Sequence, residues 1–310
     1  MVTMDLETAA EQWRTQGWTV VHGLVPAAEI DEAVEGLWKH FPTPADYHSG
    51  NLDALAFFEN ESTDARYKPE NQGKFRELND EHDPGPEFRL RQFLGHVLFP
   101  YGSHLLNRLQ IHPRVVDFAK LAMGANDIRL YQARIWGKYT GVTNYEQPFH
   151  QDRNHNVVPD RLEPGWWNLE GFLYLSDVEE GLAPTEVLSL GDSPPGKNPQ
   201  SASGQRGSYL AYRPDVWHRG VNLTKEAGSR FLMNIAFKHA HHEWIGFDSF
   251  QQNSNSGPWS KFAASCTPEE LALFGAPMPG HPYWTSELVD ALEDRYQGIN
   301  ARPWREALAK

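Results

Sequence analysis

The stretch Ile128–Tyr139, IRLYQARIWGKY, marks the point where apolar residues stop recurring at helical spacing and begin to alternate. Similar short stretches follow, and each predicts a strand: Gln147–Asp152, Trp166–Leu175, Thr185–Leu190, Gly207–Tyr212, Val216–Val221 and Arg230–Lys238. Turn residues such as Gly141, Gly181 and Pro214 separate them. About seven or eight short strands without intervening helices predict a mainly β, antiparallel jelly roll with flanking helices.

Before this stretch, apolar residues recur at helical spacing. Apolar residues between Leu6 and Trp13 predict a helix that ends at Gly17, and Pro26 opens a second helix. The polar segment Phe41–Pro86 is predicted to be irregular, as binding loops and lids often are. Helical spacing then returns from Phe88 to Gly124.

The C-terminal region predicts further helices. Thr267-Pro268-Glu269-Glu270 combines an N-cap, a proline at the first helical position and a capping-box glutamate. Thr285–Tyr296 predicts another helix. Because no change in composition marks a linker, we predict one domain over residues 1–310. It comprises a helical N-terminal region (residues 1–125), a jelly-roll core of about 126–238 and a C-terminal extension (residues 239–310).

The composition excludes several classes of protein. An apolar fraction of 40% allows a sizeable core, but no apolar run approaches the roughly 18 residues that span a bilayer. A net charge of −13 without a basic cluster argues against a nucleic-acid partner. Cys266 is the only cysteine, so an intrachain disulfide is impossible, and Met1–Trp13 lacks the basic start of a signal peptide. We therefore expect a cytoplasmic protein.

Two short motifs predict a metal site. In Pro148-Phe149-His150-Gln151-Asp152, residues two apart on a strand point to the same face, so His150 and Asp152 present an imidazole and a carboxylate together. His218, in Val216-Trp217-His218-Arg219-Gly220, supplies a third ligand from a second strand. Two histidines and one carboxylate on one face form the ligand set of non-haem iron(II) oxygenases.

Arg230 begins an apolar strand and is therefore expected to be buried. A buried guanidinium needs an anionic partner, for which a carboxylate is well suited. One interpretation is a salt bridge to an Asp or Glu of the protein; the other, favoured by the position of Arg230 soon after His218, is the distal carboxylate of 2-oxoglutarate.

These motifs resemble the phytanoyl-CoA dioxygenase family of Fe(II)/2-oxoglutarate-dependent oxygenases. Gly17–Val25 is similar to the opening of that family, Gly207–Leu210 and Trp217–Gly220 to its strand and distal histidine, and the Arg230 segment to its cosubstrate strand. The resemblance covers roughly Leu6 to Phe237. It implies a double-stranded β-helix of the cupin kind, with Fe(2+), 2-oxoglutarate and O2 as cofactor and cosubstrates.

The resemblance also bears on residues around the motifs. Leu130–Ile135 is similar to a strand whose glutamine helps to bind the cosubstrate in some members, so Gln132 is a candidate, with an ordinary strand glutamine as the alternative. Arg134 and Trp136 share its face and are candidates for cosubstrate or substrate contacts. Three further candidates for substrate contacts follow the metal strand: Arg153, Asn154 and Trp166.

The predicted activity is hydroxylation of an unactivated C–H bond in a small-molecule metabolite. Asp152 supports it, because halogenases of this kind lack the carboxylate; desaturation and cyclisation by the same oxidant remain open. The alternatives are a catalytically silent binding protein, a cupin-like metal protein that needs no oxoacid, and a hydroxylase of proteins or peptides. In His239-Ala240-His241-His242-Glu243, adjacent histidines are expected not to converge on a second metal. The segment Phe41–Pro86 and the aromatic tail are predicted to cover the site or to form a homodimer contact.

Overall fold

The structure is a computed structural model, and it describes residues 5–61, 94–152, 163–242, 245–246 and 257–309. The helices within these residues are α1 (Leu6–Gln16), α2 (Ala27–Val34), α3 (Pro44–His48), α4 (Leu52–Glu61), α5 (His104–Leu109), α6 (Pro113–Met123), α7 (Gly257–Ala264), α8 (Pro268–Ala272), α9 (Ser286–Arg295) and α10 (Arg302–Leu308), with a 3-10 turn at Leu37–Lys39. None of these helices is long and apolar enough to cross a membrane.

The strands are β1 (Trp18–Val21), β2 (His96–Leu98), β3 (Ile128–Tyr139), β4 (Glu170–Tyr174), β5 (Glu186–Val187), β6 (Gln200–Ser201), β7 (Tyr209–Tyr212), β8 (His218–Arg219) and β9 (Ser229–His239). They form a six-stranded sheet in the order β1-β7-β4-β9-β3-β2 and a three-stranded sheet in the order β6-β5-β8. All the pairings are antiparallel. The prediction of a mainly β, antiparallel fold with flanking helices is confirmed.

The six-stranded sheet separates two layers of core. Apolar side chains of one face, such as Ala133 and Ile135 of β3 and Phe231 of β9, form one core with the helices, which contribute Phe118 of α6. The opposite face, called the inner face below, packs partly against the smaller sheet, and Leu210 of β7 and Val187 of β5 belong to the same apolar cluster. The chemistry described below lies on this inner face and at the edge of the smaller sheet.

Side-chain packing requires a glycine at one position of β4. A Cβ atom on Gly171 would lie 2.1 Å from the hydroxyl oxygen of Tyr209. Tyr209 crosses this space because its hydroxyl donates a hydrogen bond to the carbonyl of Ile235, at 2.7 Å. The contacts of Tyr209 with Gly171 and Ile235 fix the spacing of β4, β7 and β9 on the side of the sheet that faces the helices.

The predicted helix boundaries hold where capping residues specify them. Helix α1 ends at Gly17, which takes the left-handed conformation with φ of 89°. Helix α8 begins with the predicted capping box between Thr267 and Glu270. Thr285 caps α9, since its side chain accepts a hydrogen bond from the backbone N–H of Leu288.

Two predictions about local structure are wrong, and one strand is not predicted. The described portion of Phe41–Pro86 is not irregular, because α3 and α4 occupy it, and the N-cap Thr43 starts α3. The helical spacing of Phe88–Gly124 is interrupted by β2, which pairs with β3 at the sheet edge. The strand that the sequence does not predict is β6, because both its residues are exposed and form no alternating apolar pattern.

Candidate metal centre

His150 and His218 lie opposite each other on two chain segments joined by backbone hydrogen bonds. The N–H of each histidine donates to the carbonyl of the other at 3.0 Å, forming a single antiparallel bridge. His218 lies in β8, and the strand predicted over Gln147–Asp152 is reduced to this bridge and its flanking contacts. The backbone of Asp152 is held separately, by a hydrogen bond to the carbonyl of Pro214 at 3.0 Å.

The side chains of His150, Asp152 and His218 converge as predicted. Nε2 of His150 lies 3.7 Å from Oδ1 of Asp152, and Nε2 of His218 lies 3.4 Å from Oδ2. One ligand atom from each residue falls within 4.8 Å of the others. Both histidines are buried, and the carboxylate is partly exposed.

The Nδ1 atom of each imidazole ring forms a hydrogen bond with a backbone carbonyl. Nδ1 of His150 donates to the carbonyl of Pro148 at 2.9 Å, and Nδ1 of His218 donates to that of Val216 at 3.1 Å. Each bond fixes the tautomer, so Nε2 presents its lone pair towards Asp152. Metal-binding histidines are oriented by such bonds from their other nitrogen.

Tyr212 is a component of the site that the motifs do not reveal. Its hydroxyl donates a hydrogen bond to Oδ2 of Asp152 at 2.8 Å, and its ring centroid lies 4.5 Å from that of His218. Burial, and after it the charge of Asp152, raise the pKa of Tyr212 well above 10, so the hydroxyl stays a donor. Only the alternation of β7, which turns Tyr212 to the inner face, could have indicated it.

The donor set fits a divalent transition-metal ion. Two neutral imidazoles and one carboxylate offer three ligands from one side and leave the other coordination positions open, as in non-haem iron(II) sites. Burial lowers the pKa of His218, but the charge and hydrogen bond of Asp152, together with the Val216 carbonyl and the charge of Glu170, outweigh burial, so the pKa stands above 6.5. Without a metal ion, the Asp152 carboxylate therefore favours a proton on the His218 imidazole, at the position that the metal ion would occupy.

Arg230 is buried, with 3% of its surface exposed. Nη1 donates to the carbonyl of Ala183 at 2.6 Å, while Nε has no hydrogen-bond partner. Within the described ranges no Asp or Glu forms a salt bridge with this guanidinium, so the interpretation as an internal ion pair finds no support there.

The predicted cluster on β3 lies on the inner face. Gln132, Arg134 and Trp136 are half-buried, while the residues between them are buried on the helix side. Trp136 stacks on His96, with ring centroids 4.4 Å apart. Burial lowers the pKa of Arg134, and the nearby charges of Glu170 and Asp152 oppose the shift, which places this guanidinium in the electrostatic environment of the triad.

The other predicted substrate contacts divide into two groups. Arg153 and Asn154 lie outside the described residues. Trp166 stacks on His242, with ring centroids 5.7 Å apart and an angle of 7° between the planes. Its neighbour Trp167 packs against Trp13, so that ring belongs to the core.

The histidines that follow β9 do come together, contrary to the prediction. The chain turns after His239, and the ring centroids of His239, His241 and His242 lie 4.7 to 5.1 Å apart. Of the residues whose placement is described, only the triad brings three ligand atoms within 4.8 Å of one another. Burial, and then the neighbouring cations and histidines, lower the pKa of His242 to about 4, so its imidazole is neutral at pH 7.

Comparison with known proteins identifies similar folds. No protein-family model matches the chain, and a search of curated proteins finds no match. Among solved structures, AviO1 from Streptomyces viridochromogenes Tue57 is 14% identical, with 77% of this chain and 96% of that chain covered and a TM-score of 0.50.

Two proteins of nogalamycin biosynthesis are also similar. SnoN, a non-heme alpha ketoglutarate dependent epimerase, is 17% identical, with 76% and 83% covered and a TM-score of 0.48. SnoK, a non-heme alpha ketoglutarate dependent carbocyclase, is 12% identical, with 75% and 83% covered and a TM-score of 0.47. At these identities the likeness concerns the fold.

Proposed function

We propose that this chain is an Fe(II)/2-oxoglutarate-dependent dioxygenase that hydroxylates an unactivated C–H bond of a small-molecule metabolite. The observation that carries the proposal is the convergence of His150, Asp152 and His218, with one ligand atom from each within 4.8 Å of the others. The two sheets packed at the inner face support the double-stranded β-helix implied by the resemblance to the phytanoyl-CoA dioxygenase family.

Each residue of the triad has a defined task. His150 and His218 hold the metal through Nε2, because their Nδ1 atoms donate to backbone carbonyls. Asp152 provides the negative charge, and Tyr212 holds one of its oxygens. Iron, when bound with the oxoacid and O2, supplies the oxidising power for C–H bonds that no protein side chain can attack.

Arg230 is proposed to hold the distal carboxylate of 2-oxoglutarate. The guanidinium is buried, keeps one N–H without a hydrogen-bond partner and has no salt bridge within the described residues. A buried guanidinium matches a carboxylate in charge and in its paired donors. Gln132, Arg134 and Trp136 share the inner face and are proposed to contact cosubstrate or substrate.

Purified protein loaded with Fe(II) without oxygen tests the proposal. Addition of 2-oxoglutarate should produce a visible charge-transfer absorption, and admission of oxygen should release succinate slowly without substrate. Asp152→Ala should abolish both signals, whereas His22→Ala, which removes an exposed imidazole, should change neither. Oxoacid binding without succinate would favour the catalytically silent alternative, and metal binding without oxoacid binding would favour a cupin-like protein of another activity.

A further inference from the structure

Lys138 and Arg230 are two buried cations that face each other across neighbouring strands. The register of β3 and β9 pairs Lys138 directly with Arg230, and their exposed fractions are 1% and 3%. Directly opposed residues of an antiparallel pair point to the same face, with Cβ atoms about 5 Å apart. Like charges in this position repel, and burial strengthens the repulsion because little water screens it.

Among the residues that the structure describes, backbone oxygens but no carboxylate contact this pair. Nζ of Lys138 donates to the carbonyls of Tyr145 and Val221, both at 2.7 Å, and lies 3.8 Å from the centre of the Tyr145 ring. Glu146 is close enough to influence Lys138, but it forms its ion pair with Arg219, at 2.7 Å. Over the ranges that the structure describes, neither cation has a salt bridge, so a buried positive site is left without a counter-charge.

The pair lies at the end of both segments that carry the metal ligands. Lys138 contacts Tyr145, on the segment that leads into His150, and Val221, on the segment that leaves His218. At about 3.3 Å per residue, the backbone from His218 to Val221 spans at most about 10 Å. A short dicarboxylic acid that binds the metal with one end can therefore point its other end towards these cations.

We infer that Lys138 joins Arg230 in binding the distal carboxylate of the oxoacid cosubstrate, which makes Lys138 a second cosubstrate-binding residue. The inference rests on the proposed function. An ammonium has three donors, of which two are used by backbone carbonyls, so one remains for a carboxylate oxygen. The carboxylate also offsets the repulsion between the two cations.

Lys138 and Arg230 should favour the binding of oxoacids that carry a second, distal carboxylate. A 2-oxo acid without a distal carboxylate, such as 2-oxobutyrate, keeps the metal-binding end but cannot offset the two charges. Burial, and then the charge of Arg230, lower the pKa of Lys138 well below 10.5. Binding of the dicarboxylate favours the protonated ammonium, so it should raise the pKa of Lys138.

Calorimetric binding to the anaerobic Fe(II)-loaded protein tests the role of Lys138. Lys138→Met should weaken the binding of 2-oxoglutarate by about 10- to 100-fold, the loss of one hydrogen bond between charged groups. The binding of 2-oxobutyrate should change by less than about threefold, because that acid never meets Lys138. Equal losses for the two acids, or no loss for either, would overturn the inference.

Lys238 provides a matched control. It is also a buried lysine on this sheet, lies opposite Arg129 in the register, and donates to the carbonyls of His242 and Ile245. Lys238→Met should leave the affinity for both acids unchanged. If it weakens 2-oxoglutarate binding as much as Lys138→Met does, the effect is structural and the inference fails.

Two further measurements keep the test decisive. Lys138→Gln, which removes the charge but retains hydrogen-bond donors, replaces Lys138→Met if that variant does not fold. If neither folds, calorimetry of the wild-type protein over a range of pH, in buffers of different ionisation enthalpy, should reveal a pH range in which 2-oxoglutarate binding takes up more protons than 2-oxobutyrate binding; the absence of such a range overturns the inference. A wild-type protein that binds Fe(II) but not 2-oxoglutarate contradicts the proposed function itself.

Discussion

Tyr212 donates a hydrogen bond to Oδ2 of Asp152, so a tyrosine on the inner face of β7 orients the only carboxylate of the triad. Tyr212→Phe should lower the affinity for Fe(II) by about 10- to 100-fold, the usual effect of removing a partner of a metal ligand. Competition with a chelator of known affinity measures the change. Tyr209→Phe is the control, because that tyrosine, on the opposite face of the same strand, donates to a backbone carbonyl and should affect stability alone. Equal metal affinities in Tyr212→Phe and the wild type would contradict this role.

The ionisation of His218 should depend on Asp152. In the metal-free wild type, the carboxylate holds the pKa of His218 above 6.5 despite burial. Asp152→Asn removes the charge and leaves burial dominant, so the pKa of His218 should fall below that of the wild type. NMR titration of the imidazole measures both values. Unchanged titration in Asp152→Asn would show that another group controls this histidine.

Metal binding should weaken as the pH falls through the pKa of His218. The imidazole must lose its proton to bind a metal, so each pH unit below that pKa should reduce the apparent affinity about tenfold. Affinity measurements between about pH 5 and pH 8 at constant ionic strength provide the test. A flat profile would mean that His218 does not bind the metal.

The ion pair between Arg108 and Glu270 should make the stability depend on pH. It connects α5 to α8 through two hydrogen bonds, one of them 2.9 Å long. Burial acts to raise the pKa of Glu270, but the bonds from Arg108 outweigh it, and the pKa lies below 4.5. A depressed pKa means that the stabilisation is present above about pH 4.5 and is lost as the pH falls through the lowered pKa.

Arg108→Met should therefore reduce the free energy of unfolding by about 1 kcal/mol at pH 7 and by less near pH 3. Denaturant titration at both pH values measures the difference. Lys225→Met, which removes an exposed ion pair with Glu179, should have almost no effect at either pH. A loss in Arg108→Met that is independent of pH would show that packing, not charge, accounts for it.

Gly171→Ala should destabilise the sheet by about 1–3 kcal/mol, because the added methyl group would overlap the hydroxyl of Tyr209. Thermal unfolding measures the effect. Gly102→Ala is the control, since a Cβ atom there would lie 3.5 Å from His40, an ordinary van der Waals distance. If Gly171→Ala is combined with Tyr209→Phe, some of the loss should be recovered, because the phenol oxygen is the nearest atom.

The sequence predicts the long strands and the triad because both depend on local patterns. Strand β3 matches the predicted Ile128–Tyr139, and the spacing of His150 and Asp152 follows from alternation along an extended chain. The short strands are less well predicted: β5 spans Glu186–Val187, inside a predicted Thr185–Leu190, because a two-residue pairing leaves little periodicity.

Other features depend on contacts between distant segments and carry no local signal. Lys138 resembles an ordinary strand lysine until the register places it opposite Arg230. Tyr212 resembles a core residue until Asp152 is brought beside it. An extended segment predicts that the histidines from His239 to His242 diverge, whereas the strand ends at His239.

The backbone bridge between His150 and His218 holds these two ligands together in the folded chain. The conformational entropy of bringing them together is therefore lost during folding and not on metal binding. The metal site of the apo protein should accordingly be preorganised, so that the protein can release its ion and bind it again without unfolding. Exchange of one divalent ion for another would then be governed by the preferred geometry of each ion within a nearly rigid frame.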